Sequence, residues 1–160
     1  MQGLSGGLTD AQRLLLAGPL AVQVAAGSRG LLPEVSRGWG VELDDEGRLS
    51  FVLIDAQTER LRAAIADTKK AAVNATNPIT MESFQFKGDV IEIAEPDDAA
   101  RQVANARIAQ FIEAIVRVGF VQGTADGVAH AGAARRLVLQ VREVFDQSPG
   151  PGAGRLLGGA

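Results

Sequence analysis

The sequence predicts a mainly β protein with few helices, its six strands closing into an antiparallel barrel. Three observations carry that expectation. Six segments have strand length and strand-like alternation or apolarity, and turn residues bound them. Only three segments carry helical signals. Six strands with so little helix to cover them favour closure, because closure removes exposed sheet edges.

The elements follow in order. Residues 1–8 form a loose start. Thr9 and Gln12 fit a capping box, followed by Leu14, Leu15 and Leu16, and Gly18-Pro19 ends that short helix. Leu20, Val22, Val24 and Ala26 alternate as a half-buried strand. Residues 27–33 read as a turn. The second strand places Val35, Arg37, Trp39, Val41 and Leu43 on one face and Ser36, Gly38, Gly40 and Glu42 on the other. Two glycines facing the same way leave the backbone open to something flat or to another strand. Asp44-Asp45-Glu46-Gly47 is a hairpin loop, and Leu49, Phe51 and Leu53 mark the returning strand.

Asp55 to Thr68 reads as a helix, with Leu61 and Ile65 one turn apart. Ala71 to Thr76 is a strand that Asn77-Pro78 breaks. Ser83 to Ile93 is a long strand with a bulge or bend at Gly88. Pro96-Asp97-Asp98 opens the longest helix, ending near Gly119, with Val103, Arg107, Phe111, Ala114, Ile115 and Val118 along one stripe. Residues 123–132 form a loop. Leu137 to Phe145 is the last strand, with Leu137, Leu139, Val141 and Phe145 on one face. The tail beyond it is too rich in Pro and Gly for regular structure. The 160 residues thus form one domain, 1–160, with a Pro/Gly-rich tail over 146–160.

Composition removes several function classes. The chain has no cysteine, so disulfides, thiolate catalysis and thiolate metal sites are excluded. Its single histidine, His130, cannot build a multi-histidine metal site and reads as a surface residue of a Gly/Ala loop. There is no tyrosine to act as a general acid. The formal charge is −3 and the basic residues are scattered, so no nucleic-acid track is expected. The apolar stretch 14–26 is too short and too interrupted to span a membrane, and no basic segment precedes it. A cytoplasmic protein is the simplest reading.

Four segments carry a resemblance: Ser36-Arg37-Gly38-Trp39-Gly40, Asp55-Ala56-Gln57-Thr58-Glu59-Arg60, Ser83-Phe84-Gln85-Phe86-Lys87-Gly88, and residues 145–154. In this order, with these strands between them, the chain resembles the pyridoxamine 5'-phosphate oxidase-like family of FMN-binding split β-barrels. The resemblance implies a six-stranded antiparallel split β-barrel, a homodimer, and two FMN sites at the subunit interface. It places Thr58 and Arg60 where the family carries a Ser and a Lys that reach the FMN phosphate. A hydroxyl and a guanidinium at a helix start suit a phosphate. They equally suit an N-cap and a solvated helix residue. The family also puts a polar side chain of the long strand near the flavin ring. Ser83, Gln85 and Lys87 share one face there, where they line a site or simply meet water. Arg37 lies among apolar residues and wants an anion, either a phosphate or a carboxylate of a partner subunit. Trp39 serves as core, as interface or as a stacking platform. With Asp55 and Gln57 of the corner segment, these complete the candidate cofactor-binding set.

The true oxidases hold pyridoxal phosphate with further Arg, Tyr and His residues; this chain has no Tyr, and its one His sits in a Gly/Ala loop. The resemblance therefore implies an FMN-dependent oxidoreductase on an unknown small-molecule substrate, the redox chemistry residing in the flavin. The alternative is a non-catalytic binding or sensing module of the same fold, holding haem, a deazaflavin coenzyme or no cofactor. Haem would need an axial ligand, and His130 is the only histidine available.

Overall fold

The computed structural model describes residues 7–30, 32–121 and 132–159. His130, and with it most of the loop expected over 123–132, lies outside the described residues. Three helices and eight strands are present among them: α1 (Asp10–Ala17), β1 (Ala21–Gly27), β2 (Pro33–Arg37), β3 (Trp39–Leu43), β4 (Arg48–Ile54), α2 (Asp55–Thr68), β5 (Lys70–Thr76), β6 (Ser83–Ala94), α3 (Asp98–Arg117), β7 (Ala134–Asp146) and β8 (Leu156–Gly159).

All strand pairs are antiparallel, in the order β2-β1-β5-β6-β7-β4-β3, with β8 added on β7. The two ends of that order, β2 and β3, are consecutive in the chain. The segment expected as one strand over 35–43 is therefore split at Gly38. Its first half pairs β1 and its second half pairs β4, which curls the sheet into a barrel. Gly38 allows the crossing, because a Cβ there would stand 2.7 Å from Val24 Cγ2 inside the barrel. The expected six strands thus become seven along the sheet path, and β8 is the eighth.

The barrel is filled by the inward face of each strand: Val22 and Val24, Phe51 and Leu53, Val73 and Ala75, Phe84 and Phe86, Leu137, Leu139 and Val141. Leu61, Ala64 and Ile65 of α2 and Leu15 and Leu16 of α1 join this core. The capping box of α1 forms as expected, between Thr9 and Gln12. A second, smaller core lies outside the barrel. There α3 sits on β3 and β4, and Phe111 and Ile115 pack with Trp39, Val52 and Ile54.

Two expected faces are corrected. Trp39 and Val41 do not share a face, because Gly40 adopts a positive φ of 60° and the β3–β4 register shifts between Trp39 and Glu42. Trp39 faces α3, while Val41 enters the barrel. Phe145 does not continue the face of Leu137, Leu139 and Val141. Lys87 and Gly88 pair Glu143 and Val141, so Arg142 is an extra residue in β7 that inverts the alternation. Val144 is buried instead and Phe145 turns outward. The bulge expected at Gly88 is this same irregularity, and a side chain at Gly88 would collide with the Gln140 carbonyl.

The Pro/Gly-rich tail is also more regular than its composition suggests. Gly154 N–H donates to Asp146 O at 2.7 Å and Ser148 N–H donates to the Asp146 carboxylate at 2.9 Å, closing a turn that delivers β8 to β7.

Candidate functional site

The helices leave one side of the barrel bare. α3 covers β3 and β4, and α2 packs against β1 and β2 with its apolar face in the barrel core. α3 reaches one edge of the outward face of β2-β1-β5-β6-β7, where Ala21 packs with the second core and Arg37 lies over the Phe111 ring; among the described residues the rest of that face carries no helix. Its side chains follow from the register. One row reads Val35, Ala25, Ala72, Lys87, Glu143, and the next reads Arg37, Gln23, Asn74, Gln85, Phe145. Neighbouring strands stand ~4.8 Å apart, so Val35 and Lys87 are separated by roughly 14 Å of surface. The middle of the first row is alanine, which makes a flat, apolar floor.

A cavity of about 420 Å³ lies on this floor, bounded by Ala25, Gly27, Pro33, Ala72, Gly88 and four charged residues, Lys70, Lys87, Arg142 and Glu143. That volume falls within the range of small-molecule sites, which join an apolar floor to a few polar groups. Asp89 accepts from Lys70 Nζ at 3.0 Å and from Arg142 Nε at 2.9 Å. The hydrogen bond from Lys70, then that from Arg142, holds the Asp89 carboxyl below the ordinary aspartate value. Lys87 is different. Its Nζ lies 4.3 Å from the Phe145 ring centroid, and no carboxylate pairs with it among the described residues.

The sequence-predicted residues divide among several places. Gln85 and Lys87 share the bare face as expected, and Arg37 ends the Gln85 row. Arg37 is exposed, with its guanidinium 5.5 Å from the Phe111 ring centroid, so it is not buried among apolar groups. Ser83 is buried at the end of β6. Its hydroxyl pairs with Thr76 Oγ1 at 2.7 Å, and its N–H donates to Ser148 Oγ at 3.1 Å. Trp39 lies under α3, edge-on to Phe111 at 6.2 Å, and belongs to the second core. Asp55 is held by two arginines, Arg135 at 3.3 Å and Arg62 at 3.5 Å.

Gln57 and Arg60 border a separate hollow of about 260 Å³ with Glu34, Val35, Ala56, Glu59 and Leu61. Arg60 is paired there to Glu34 at 2.6 Å. Thr58 is only 2% exposed, and its hydroxyl donates to Ile54 O at 2.7 Å. Its φ of −131° interrupts the first turns of α2. The residues that sequence reasoning missed are Lys70, Arg142 and the alanines. Lys70 precedes the expected strand, and the bulge that turns Arg142 toward Asp89 leaves no signal in β7 itself.

No protein-family model and no curated protein matches the chain. Solved structures do. An F420 reductase superposes with a TM-score of 0.60 at 17% identity, covering 86% of this chain and 98% of that one. A candidate pyridoxamine 5'-phosphate oxidase from Lactobacillus delbrueckii gives a TM-score of 0.56 at 18% identity, covering 90% and 99%. An FMN-binding protein from Syntrophomonas wolfei gives 0.51 at 7% identity, covering 85% and 88%. At such identities the likeness is one of fold: this chain has the split-barrel architecture of these proteins.

Proposed function

We propose that the chain is a pyridoxamine 5'-phosphate oxidase-like split barrel that binds FMN on its bare outer face and works as a flavin-dependent oxidoreductase. The observation that carries the reading is the alanine floor of that face, ringed by amides and cations. A flat ring needs a floor without protruding side chains, and Ala25 and Ala72 provide one across neighbouring strands. Gln23, Asn74 and Gln85 stand side by side along its edge. Their amides can donate and accept toward the mixed edge of a flavin ring. Lys87, Lys70 and Arg142 suit the negative charge of a phosphate ester.

When bound, the flavin supplies hydride chemistry. The chain's own residues bind, orient and exclude water. No side chain has to act as acid or base, which agrees with a chain holding one histidine and no cysteine or tyrosine. A single chain leaves the floor open on one side, so a second copy covers it in this reading, and the protein is a homodimer. The cysteine-free composition suits the cytoplasm.

A deazaflavin coenzyme is the second reading, since an F420 reductase shares the fold over nearly its whole length. Both coenzymes present a flat ring and a phosphate. The absorbance spectrum of the purified protein, before and after incubation with FMN, tests the proposal. Bands of bound flavin support it. A deazaflavin spectrum moves the assignment to the second reading, and a haem band or no uptake of FMN overturns the flavin.

A further inference from the structure

A hollow of about 270 Å³ lies where α3 meets β3 and β4. It shares no lining residue with the cavity on the alanine floor. Its walls are apolar: Val52 and Ile54 from β4, Ile108 from α3, and the Trp39 ring from β3. Arg101 and Asn105 add a polar rim. They stand one helical turn apart on α3, with Ile108 one turn further, so the three share a side of the helix.

Two donors at this hollow have no partner. Trp39 is only 4% exposed, and its Nε1–H is buried without a hydrogen bond. A buried donor left unmet costs about 1–3 kcal/mol, and buried indoles ordinarily find an acceptor. Trp39 borders one other hollow, of about 10 Å³, among Leu20, Val22 and Val41. That one is too small for anything beyond a water. Arg101 is the second donor. It makes no ion pair and no side-chain hydrogen bond among the described residues, and no carboxylate lines the hollow. An indole N–H and a guanidinium only donate, so their partner must accept. A guanidinium matches a carboxylate in plane and in charge. The apolar walls call for a hydrocarbon body. A cavity of about 150 Å³ holds benzene, so this one has room for a ring and a short acid arm.

We infer that the hollow between α3 and the β3–β4 strands binds a small apolar carboxylate, its acid group toward Arg101 and the Trp39 indole and its hydrocarbon part against Val52, Ile54 and Ile108.

Trp39 is the chain's only tryptophan, so its indole N–H gives a single signal in a proton–nitrogen correlation spectrum. The protein is titrated with phenylacetate and with hexanoate. Acetate serves as the acid without an apolar body, and phenethylamine as the body without an acceptor. Phenylacetate or hexanoate is expected to move the indole signal saturably, while acetate and phenethylamine leave it in place. Calorimetry then compares the tighter acid on the wild type, Arg101→Gln and Trp39→Phe, with thermal melts to check folding. One lost hydrogen bond to a charged partner corresponds to a loss of roughly tenfold to a hundredfold, and each variant is expected to show it. Arg101 is exposed, so its variant decides the matter even if Trp39→Phe does not fold. An indole signal that neither acid moves overturns the inference, as does equal binding of phenethylamine or full affinity in Arg101→Gln. The titration contains no flavin. Its failure leaves the flavin reading standing, and a chain that binds no flavin still gives it a clear answer.

Discussion

A Cβ built on Gly40 would lie 2.7 Å from the Cα of Ala104, so α3 rests directly on the backbone of β3. Gly40 also has a φ of 60°, which favours glycine. The contact sets the depth of the second core, where Phe111 and Ile115 meet Trp39. Gly40→Ala combines a strained backbone with a clash against main chain, where nothing can rotate away. It should cost at least about 2 kcal/mol, read from denaturant unfolding. A cost below about 0.5 kcal/mol would mean that α3 can shift outward freely.

The Lys70–Asp89–Arg142 cluster should show in the acid limb of stability. Asp89 titrates lower in the folded chain than in the unfolded one. Its stabilising contribution is therefore complete above the unfolded value, near pH 3.9, and is lost as pH falls through the lower folded value. Asp89→Asn should be less stable than the wild type at neutral pH, and the two should converge in strong acid. A constant gap between their stability curves from neutral to strong acid would show that the ionised carboxylate is not what stabilises.

The tail is predicted to be part of the folded unit. Ser148 bonds the start of β6, and Gly154 bonds the end of β7. At about 1 kcal/mol net for each such hydrogen bond, removing residues 148–160 should cost about 2–4 kcal/mol. Thermal unfolding of the truncated chain is the check. An unchanged midpoint would show that the turn and β8 contribute nothing.

The homodimer can be tested at Val35, which is 68% exposed on the bare face, next to exposed Leu32. Light scattering at micromolar concentration should give twice the chain mass. Val35→Asp, placing a charge in the covered face, should give a single chain mass with little change in the barrel core. A wild type that is monomeric and unfolds cooperatively would remove the homodimer from the account.

Much of this fold was legible in the sequence, and the physical reasons can be named. The capping box at Thr9, the helix from Asp55 to Thr68 and the bulge at Gly88 are local signals, and local signals survived. What failed was phase across an irregularity. The alternation read through Trp39 and Val41 ignored the turn of backbone at Gly40, and the face read through Val141 and Phe145 ignored the extra residue at Arg142. The apolar stripe of α3 was visible, but its destination was not. Phe111, Ala114 and Ile115 bury its middle on β3 and β4 of the same chain, while Val118 stays exposed. The motive for a second copy therefore moves to the bare face. Of the candidate residues, Gln85 and Lys87 were placed together correctly by strand periodicity. Thr58 and Arg60 were chosen from the family corner and from the fit of a hydroxyl and a guanidinium to a phosphate, and neither signal reveals that Ile54 O and Glu34 engage them.

The most direct test of the central claim is an FMN titration followed by flavin fluorescence, with stoichiometry from the absorbance of protein freed of excess ligand. The account predicts saturable binding, about one flavin per chain, weakened by Ala72→Arg, which would fill the alanine floor. Failure to bind FMN, or undiminished binding by a folded Ala72→Arg variant, would contradict it.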